Sequence, residues 1–270
     1  ATLYTTLEPC AHHARTPPCA AAVAAAGVAR VVVGIEDPDP RVSGAGLAAL
    51  RRAGVAVEVG RAADAVAAQL APYLKHRTTG RPWVVLKLAA TMDGRTAAPD
   101  GTSRWITGGA ARADAHRLRA DSDAVLVGAG TVRADDPALT VRHGAAEDDH
   151  AGGRQPQRVV LGAIPPGARV LPAWEMAGDL GAVLDELGRR DVLQVLVEGG
   201  AGVAGRFHAA GLVDRYVLYL APVLLGSDGG RPLLAGPGAA TLADAWRGRI
   251  VDVVVLGDDL RVELAPGPAR

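Results

Sequence analysis

The sequence has no excess of either charge and no long apolar run. Lys and Arg together number 29, as do Asp and Glu, so the formal net charge is zero. Because proteins that bind nucleic acid usually carry a basic excess, this balance predicts no nucleic-acid partner. No apolar run approaches the roughly 20 residues of a transmembrane helix, and no signal-peptide pattern opens the chain. We therefore expect a cytoplasmic protein without a membrane partner.

Aromatic residues and cysteines are also scarce. Phe, Trp and Tyr make up 3% of the 270 residues, against 49% for all hydrophobic residues. The core must therefore be aliphatic, as it is in parallel β-sheets. Two cysteines, Cys10 and Cys19, are too few for a disulfide framework, and their closeness after a proline favours a metal pair. The chain opens at Ala1 within a predicted strand and without Met, so we expect a truncated N-terminus.

A polar stretch at residues 76–82 separates two differently organised regions, residues 1–78 and 79–270. In the first region strand-like and helical patterns alternate, which predicts a parallel sheet with covering helices. The predicted strands are 2–7, 30–35 and 55–59. Three helices are predicted: the first starts after Pro18, the second spans 46–53 and the third spans 62–75.

The second region continues the alternation and is also predicted to be α/β. Its predicted strands are 83–89, 124–128, 158–161, 192–198 and 215–222, and its predicted helices are 109–120, 179–190 and 203–210. Segments 250–256 and 260–264 predict an antiparallel pair at the edge of the sheet. A glycine turn is predicted directly after strand 124–128, where backbone amides can approach a phosphate.

The two cysteines resemble part of a zinc site. Zinc deaminases hold the metal with two thiolates and a histidine, and a glutamate from a His-x-Glu motif carries the protons. No His-x-Glu triplet occurs in the sequence. The start of a helix at Cys19 favours a thiolate there. The alternative is that both are small buried hydrophobic residues, while His12 and His13 are either substitute ligands or solvated.

Three charged side chains of the second region also allow two interpretations. Lys87 lies in an aliphatic strand, where a cation is costly unless it has a partner, or else reaches solvent from an edge strand. Arg119 and Arg142, if they converge, form a fork for a phosphate monoester, and singly they are surface arginines.

A glycine-rich loop follows Glu198 at the end of a predicted strand. Glycines at 199, 200, 202 and 205 precede a predicted helix, so free N–H groups there offer a pyrophosphate site. The spacing differs from the G-x-G-x-x-G fingerprint. Glu198 closes an apolar strand, so it either binds a ligand or is exposed, and we favour the ligand.

Together these segments resemble the bifunctional riboflavin biosynthesis enzymes, which join a diaminohydroxyphosphoribosylaminopyrimidine deaminase to a 5-amino-6-(5-phosphoribosylamino)uracil reductase. The resemblance covers nearly the whole chain. It is carried by TLEPCAHHARTPPC at 6–19, KLAATMDGRTA at 87–97, SRWIT at 103–107, LRADSDAVLVGAGTVRADDPALTVR at 118–142, VLVEGGAGVAGRF at 195–207 and AGLVDRYVLYLAPVLLG at 210–226.

The resemblance implies an α/β fold in which a partial cytidine-deaminase-like domain, residues 1–78, precedes a dihydrofolate-reductase-like domain, residues 79–270. It implies NADPH-dependent reduction of a pyrimidine ribotide to its ribitylamino product, and a homodimer through the reductase domain. It also implies a Zn²⁺ site in the first domain, for which Cys10 and Cys19 match two ligands.

The resemblance also assigns roles to residues of the second domain. Lys87 is implied as the catalytic group that polarises or protonates the sugar oxygen. The implied contacts to the nicotinamide cofactor are Ala89, Trp105, Thr131, Asp135, Gly200, Ala201, Gly202, Val203, Ala204, Gly205 and Arg206. The implied contacts to the substrate are Ser103, Arg119, Leu139, Arg142 and Glu198.

The chain departs from the family pattern in three places. The His-x-Glu segment is missing, residues 170–191 are fewer than in most members, and strand 158–162 ends in Gly162 rather than in Asp-Ser. Two alternatives therefore stay open. One is a deaminase-type metal module with a scaffold as its second half, and the other is a degenerate remnant that binds nucleotide or a partner without turnover.

Overall fold

The structure, a computed structural model, describes residues 1–13, 16–142, 154–226 and 229–267. It divides into two compact units, Ala1–Arg81 and Pro82–Arg270. Within the described residues, no helix is both long enough and apolar enough to cross a membrane.

The first unit is a three-stranded parallel sheet with helices, as its alternating pattern predicts. Its strands are β1 (Thr2–Leu7), β2 (Arg30–Ile35) and β3 (Ala56–Val59), in the order β1-β2-β3. Its helices are α1 (Cys19–Ala25), α2 (Ala45–Arg52), α3 (Ala63–Gln69) and α4 (Ala71–Thr79). The central strand β2 supplies Val31 and Val33, which pack with Leu47 and Leu50 of α2 in an aliphatic core. The predicted parallel sheet is therefore confirmed.

The single helix predicted at 62–75 is wrong. Leu70 separates α3 from α4, and Pro72 lies in the first turn of α4. Proline has no N–H to continue the preceding helix, but it suits the start of a new one. Because α4 continues to Thr79, the polar stretch at 76–82 begins inside a helix.

The second unit is built on an eight-stranded mixed sheet and has a separate two-stranded pair. The strands of the unit are β4 (Trp83–Thr91), β5 (Arg95–Ala97), β6 (Ala124–Gly128), β7 (Gln157–Leu161), β8 (Trp174–Met176), β9 (Gln194–Val197), β10 (Arg215–Ala221), β11 (Arg231–Pro232), β12 (Gly248–Leu256) and β13 (Asp259–Pro266). Its helices are α5 (Gly109–Ala120), α6 (Ala129–Asp135), α7 (Leu180–Arg189) and α8 (Ala201–Ala209). The strand order is β12-β13-β10-β4-β9-β6-β7-β8, and β5 pairs with β11 separately.

The six strands from β10 to β8 in this order are parallel, and β12 and β13 are antiparallel. The antiparallel edge pair predicted from the sequence is therefore confirmed. One face of the sheet packs on α7 and α8, where Leu184 and Phe207 are fully buried, and the other packs on α5 and α6, where Ala111 and Val132 are buried. The carboxyl ends of β4, β6 and β9 thus meet at one edge, where ligands bind in open α/β sheets.

Two local predictions in this unit are corrected. The glycine turn after β6 is wrong, because α6 begins at Ala129 directly after Gly128. The strand β8 lies in the short region 170–191 and was not predicted, since its three residues are too few for a periodic signal. It pairs in parallel with β7 after a crossover through residues 162–173. The short region therefore still extends the sheet and supplies α7.

Candidate active site

The two cysteines of the first unit lie together. Cys10 follows β1 and Cys19 begins α1, and the backbone N–H of Cys19 points to the Cys10 sulfur at 3.5 Å. Contact with that sulfur, followed by burial, raises the pKa of the Cys19 thiol. The raised pKa disfavours the thiolate predicted at this helix start.

The residues present do not complete a zinc site. Catalytic zinc takes three protein ligands and keeps a fourth position open. In the described ranges, no group of three or more His, Cys, Asp or Glu side chains is placed to hold a metal. His13 is exposed, and His12 is half-buried without joining such a group. The Zn²⁺ site implied for Cys10 and Cys19 is thus not supported, and we derive no step through it.

Glu8, which precedes the cysteine pair, has a structural role at the start of α2. Its buried carboxylate accepts hydrogen bonds from the N–H groups of Gly44 at 2.9 Å, Gly46 at 2.8 Å and Leu47 at 3.2 Å. It thus caps α2, which has no cap from its own N-cap residue. A side chain on Gly46 would lie 1.7 Å from the carbonyl oxygen of Pro9, so only glycine fits there.

In the second unit, Lys87, Arg119 and Glu198 form a buried charged cluster. Arg119 donates from Nε to Glu198 Oε1 at 2.5 Å and from Nη2 to Oε2 at 2.9 Å. The Lys87 ammonium lies 3.5 Å from Glu198 Oε2. Since β4 lies between β10 and β9, Lys87 is not an edge-strand lysine. It has the partner that a buried cation requires.

The charges of this cluster hold Glu198 ionised. Burial alone would raise the pKa of Glu198, but the charges of Arg119 and Lys87 outweigh it and lower that pKa to about 2. Glu198 therefore faces two cations and is not exposed. The Glu198 carboxylate fixes the position of the Lys87 ammonium, and an ammonium in a fixed position can act as a proton donor.

Arg142 joins the same neighbourhood through His116. The backbone N–H of Arg142 donates to His116 Nδ1 at 3.2 Å, and Arg119 Nη1 donates to the Thr140 carbonyl at 3.0 Å. Burial first, then the charges of Arg119 and Arg142, lowers the pKa of His116 to about 4. Both arginines predicted to converge are thus close enough for their charges to act on the His116 imidazole.

Tyr219 lies beneath Lys87. The Lys87 ammonium is 5.9 Å from the centre of the Tyr219 ring. The buried Tyr219 hydroxyl donates to Asp114 Oδ2 at 2.7 Å, and Arg261 Nη1 lies 3.1 Å from the same oxygen. Burial, reinforced by Asp114, raises the pKa of Tyr219. A neutral ring with a fixed hydroxyl therefore supports the cation.

A cleft of about 630 Å³ opens at the carboxyl edge of the sheet. It is lined by residues at the starts of α6 and α8, among them Thr131 and Gly200, whose N–H donates to Thr131 Oγ1 at 3.3 Å. The turn from Glu198 to Gly200 joins the charged cluster to this cleft. The volume is within the range of small-molecule sites.

The cleft suits a phosphate-bearing dinucleotide. The N-cap residue of α8 is Gly200, which has no side chain to cap the helix, and no other described side chain accepts from its first N–H groups. Those N–H groups can therefore bind a ligand. A side chain built on Gly130 or Gly202 meets no atom within 4 Å, so the backbone is uncovered at both positions.

The predicted cofactor and substrate residues divide into two sets around this cleft. Seven of them line it: Ser103, Thr131, Asp135, Gly200, Ala201, Gly202 and Val203. The end of the glycine-rich run does not. Ala204 is fully buried, Arg206 is exposed, and a side chain on Gly205 would meet the Ala235 carbonyl at 1.8 Å. Gly205 therefore allows close packing of the backbone.

The remaining predicted residues lie outside the cleft lining. Ala89 is on β4, two residues beyond Lys87. Trp105 is 69% exposed, and the Arg112 guanidinium lies over its ring, 4.6 Å from the ring centre. Leu139 is buried in the apolar core with a left-handed φ of 54°, a conformation that costs a non-glycine residue energy.

Sequence reasoning missed four residues around the site: Asp114, His116, Tyr219 and Arg231. His116 precedes Arg119 by three positions on α5, so helical spacing places both on one face and offered a signal. Tyr219 offered none, because a tyrosine in a buried strand is usually core.

Comparison with known proteins gives one consistent family. The family model described as RibD C-terminal domain matches residues 82–262. Riboflavin biosynthesis protein RibD of Escherichia coli (strain K12) is 39% identical over 300 residues, which covers 98% of this chain and 82% of the relative.

Two solved structures are similar over both units. RibD of Acinetobacter baumannii, form 1, has a TM-score of 0.91 at 38% identity and covers 98% of this chain and 81% of its own. The diaminohydroxyphosphoribosylaminopyrimidine deaminase/5-amino-6-(5-phosphoribosylamino)uracil reductase of Thermotoga maritima has a TM-score of 0.86 at 31% identity, covering 98% and 79%.

Proposed function

Because the chain belongs to the RibD family of riboflavin biosynthesis proteins, we propose that its second unit reduces 5-amino-6-(5-phosphoribosylamino)uracil to the ribitylamino product with NADPH. The observation that carries the proposal is the buried cluster of Lys87, Arg119 and Glu198, which meets the glycine-lined cleft at one turn. A proton donor and a dinucleotide site are thereby adjacent.

The reaction adds two electrons and opens the sugar ring. The carbon–oxygen bond of the ring breaks, the carbon receives a hydride, and the oxygen receives a proton. The cofactor supplies the hydride when it is bound. Lys87 Nζ donates the proton to the departing oxygen, and it takes a proton back from solvent afterwards.

Glu198 and Arg119 act together to hold Lys87 in place. The Nε and Nη2 atoms of Arg119 are engaged by Glu198, and its Nη1 by a carbonyl oxygen. The guanidinium therefore orients Glu198, and Glu198 orients the ammonium. Arg142, whose side chain makes no such pair among the described residues, is the better candidate for the substrate phosphate. Ser103, the other candidate for that phosphate, lines the cleft.

The first unit takes no step in this proposal. Its deaminase-like fold and any deamination by it stay predictions, since the described residues supply only two thiols toward a metal. The cytoplasmic location also stays a prediction.

The homodimer implied by the resemblance is placed on the edge strand β12. Ile250 is 66% exposed, Val253 51% and Val255 69% on a strand with one unpaired edge. Such an edge favours pairing with a second copy. Sedimentation of the protein and of the Val253→Lys variant tests this, and a wild-type monomer would contradict it.

The test of the reductase uses purified protein, the aminouracil ribotide and NADPH, with loss of the reduced-cofactor absorbance as the readout. We expect turnover that falls about 1,000-fold in Lys87→Gln, the loss expected for a proton donor. Lys75→Gln is the matched control, because Lys75 is the only other lysine in the sequence. Cofactor binding without turnover in the wild type would instead support a degenerate nucleotide-binding remnant.

A further inference from the structure

Arg231 lines the cleft but belongs to no motif identified in the sequence. It lies on the two-residue strand β11, which pairs with β5 so that Arg231 is opposite Ala97. A side chain built on Gly101 would lie 3.8 Å from Arg231 Nη2, so the guanidinium reaches the turn at the cleft. Both Gly101 and Arg231 line the same cleft as Gly200 and Gly202.

Among the described residues, no carboxylate pairs with the guanidinium of Arg231. Nearby arginines are engaged: Arg104 donates to the Asp135 carbonyl at 3.0 Å, and Arg112 donates to the Thr107 carbonyl at 2.6 Å. No ion pair or hydrogen bond of the Arg231 side chain occurs within residues 1–13, 16–142, 154–226 and 229–267. Asp135 also lines the cleft, yet no ion pair joins it to Arg231.

Arg231 is the one cation among the described residues that line the cleft. The start of α8 offers N–H dipoles but no full positive charge. A pyrophosphate carries two negative charges, and the planar guanidinium matches phosphate oxygens with two parallel donors. The substrate phosphate already has Arg142 as its candidate partner, and Arg142 does not line the cleft.

We propose that Arg231 binds the pyrophosphate of the nicotinamide cofactor and so sets cofactor affinity. The inference rests on the proposed reductase function. NADPH and NADH share the pyrophosphate. Arg231 therefore raises the affinity for both cofactors by the same factor and does not contribute to selectivity between them.

The experiment titrates NADPH and NADH separately into the full chain and follows cofactor fluorescence. In Arg231→Gln we expect both dissociation constants to rise about tenfold, which is the loss of one charge-assisted hydrogen bond. Arg231→Lys, which keeps the charge, should recover part of this. The KM for the aminouracil substrate should not move.

Arg133→Gln is the matched control, because Arg133 is exposed on α6 and does not line the cleft. Unchanged cofactor affinity in Arg231→Gln overturns the inference. A loss confined to NADPH overturns it in favour of the 2′-phosphate, and a raised substrate KM alone overturns it in favour of the substrate phosphate. If Arg231→Gln does not fold, Arg231→Met, which also removes the charge, is titrated in its place.

The inference and the reductase proposal fail differently. If the wild type binds neither cofactor, the reductase proposal itself is wrong. If the wild type binds and oxidises NADPH while the Arg231 variants match it, only the role of Arg231 is wrong.

Discussion

Glu8 and Glu198 each follow a parallel strand, and each is buried, yet the two units use them differently. The Glu8 carboxylate accepts N–H groups at the start of α2, so all its acceptor capacity goes to the backbone. The Glu198 carboxylate faces the side chains of Arg119 and Lys87. The first arrangement fixes a helix on a sheet, while the second holds an ammonium and a guanidinium around one carboxylate.

The comparison shows why a buried carboxylate at a strand end is a weak functional signal by itself. Buried charge always needs partners, and backbone dipoles satisfy that need as well as cations do. What separates the two cases is whether the partners are themselves able to bind a ligand or transfer a proton. Lys87 can do so, and the N–H groups of α2 cannot.

Of the two glutamates, Glu198 should show the larger effect when it is replaced by glutamine. Loss of the carboxylate leaves Arg119 buried without its partner, which costs about 3–5 kcal/mol of unfolding free energy. Lys87 also loses its position, so reductase turnover should fall about 100-fold. Urea unfolding and steady-state rates measure both.

Glu186→Gln is the control for that variant. Its carboxylate pairs only with Arg189 and Arg190 on the surface of α7, where such pairs are worth about 0.5 kcal/mol. Equal effects of the two substitutions would remove the distinction between the charged cluster and an ordinary ion pair.

Glu8→Gln should destabilise the first unit and leave the chemistry of the second alone. A neutral amide accepts weaker hydrogen bonds from the N–H groups of α2 than a carboxylate does, so the free energy of unfolding should fall by about 2 kcal/mol. Reductase turnover at saturating substrate should equal that of the wild type. Limited proteolysis of the first unit and the rate assay report the two effects.

Glu58→Gln, on an exposed ion pair with Arg30, is the matched control for Glu8. A drop in turnover for Glu8→Gln with an intact fold would show that Glu8 takes part in the reaction, and the contrast with Glu198 would disappear.

The free energy of unfolding should fall in two stages as the pH is lowered. The pKa of His116 falls from 6.5 unfolded to about 4 folded, so stability is lost as pH falls through that interval, where the unfolded chain binds more protons. The pKa of Glu198 falls from 4.5 to about 2, so its contribution is full above pH 4.5 and is lost below.

Urea midpoints measured from pH 7 downward test the first stage. His116→Gln should flatten the slope between pH 6.5 and 4, because the depressed histidine is gone. His208→Gln is the control, since His208 contacts Tyr216 on another part of the sheet. An unchanged slope in His116→Gln would place the titrating group elsewhere.

The smallest effect is expected from the cysteines. Two thiols without a third ligand should not retain a full equivalent of zinc through dialysis, and Cys10→Ser should leave reductase turnover unchanged. Metal analysis of the wild type, Cys10→Ser and Cys19→Ser measures this. A full equivalent that is lost in both variants would show that the first unit holds zinc with a further ligand.

Most of the strands and helices could be predicted from the pattern of apolar residues in the sequence. Runs such as 30–35 and 124–128 are β-branched and apolar, since both of their faces are buried in a parallel sheet, and both form strands. Short elements were missed for the same reason: β8 and β11 have three and two residues, too few to show a period. The break at Leu70 was missed because only that one residue separates α3 from α4, so the helical pattern continues across it.

The sequence alone determined the alternation of strands and helices, the family, and the residue types available for chemistry, because these depend on local pattern and on motif order. Only the tertiary structure decided which charges meet. Lys87, Arg119 and Glu198 are up to 111 positions apart and become neighbours through the strand order. The same structure paired Glu8 with a helix and gave the Arg231 side chain no ion-pair partner among the residues it describes, since partner choice depends on distances that no local pattern encodes.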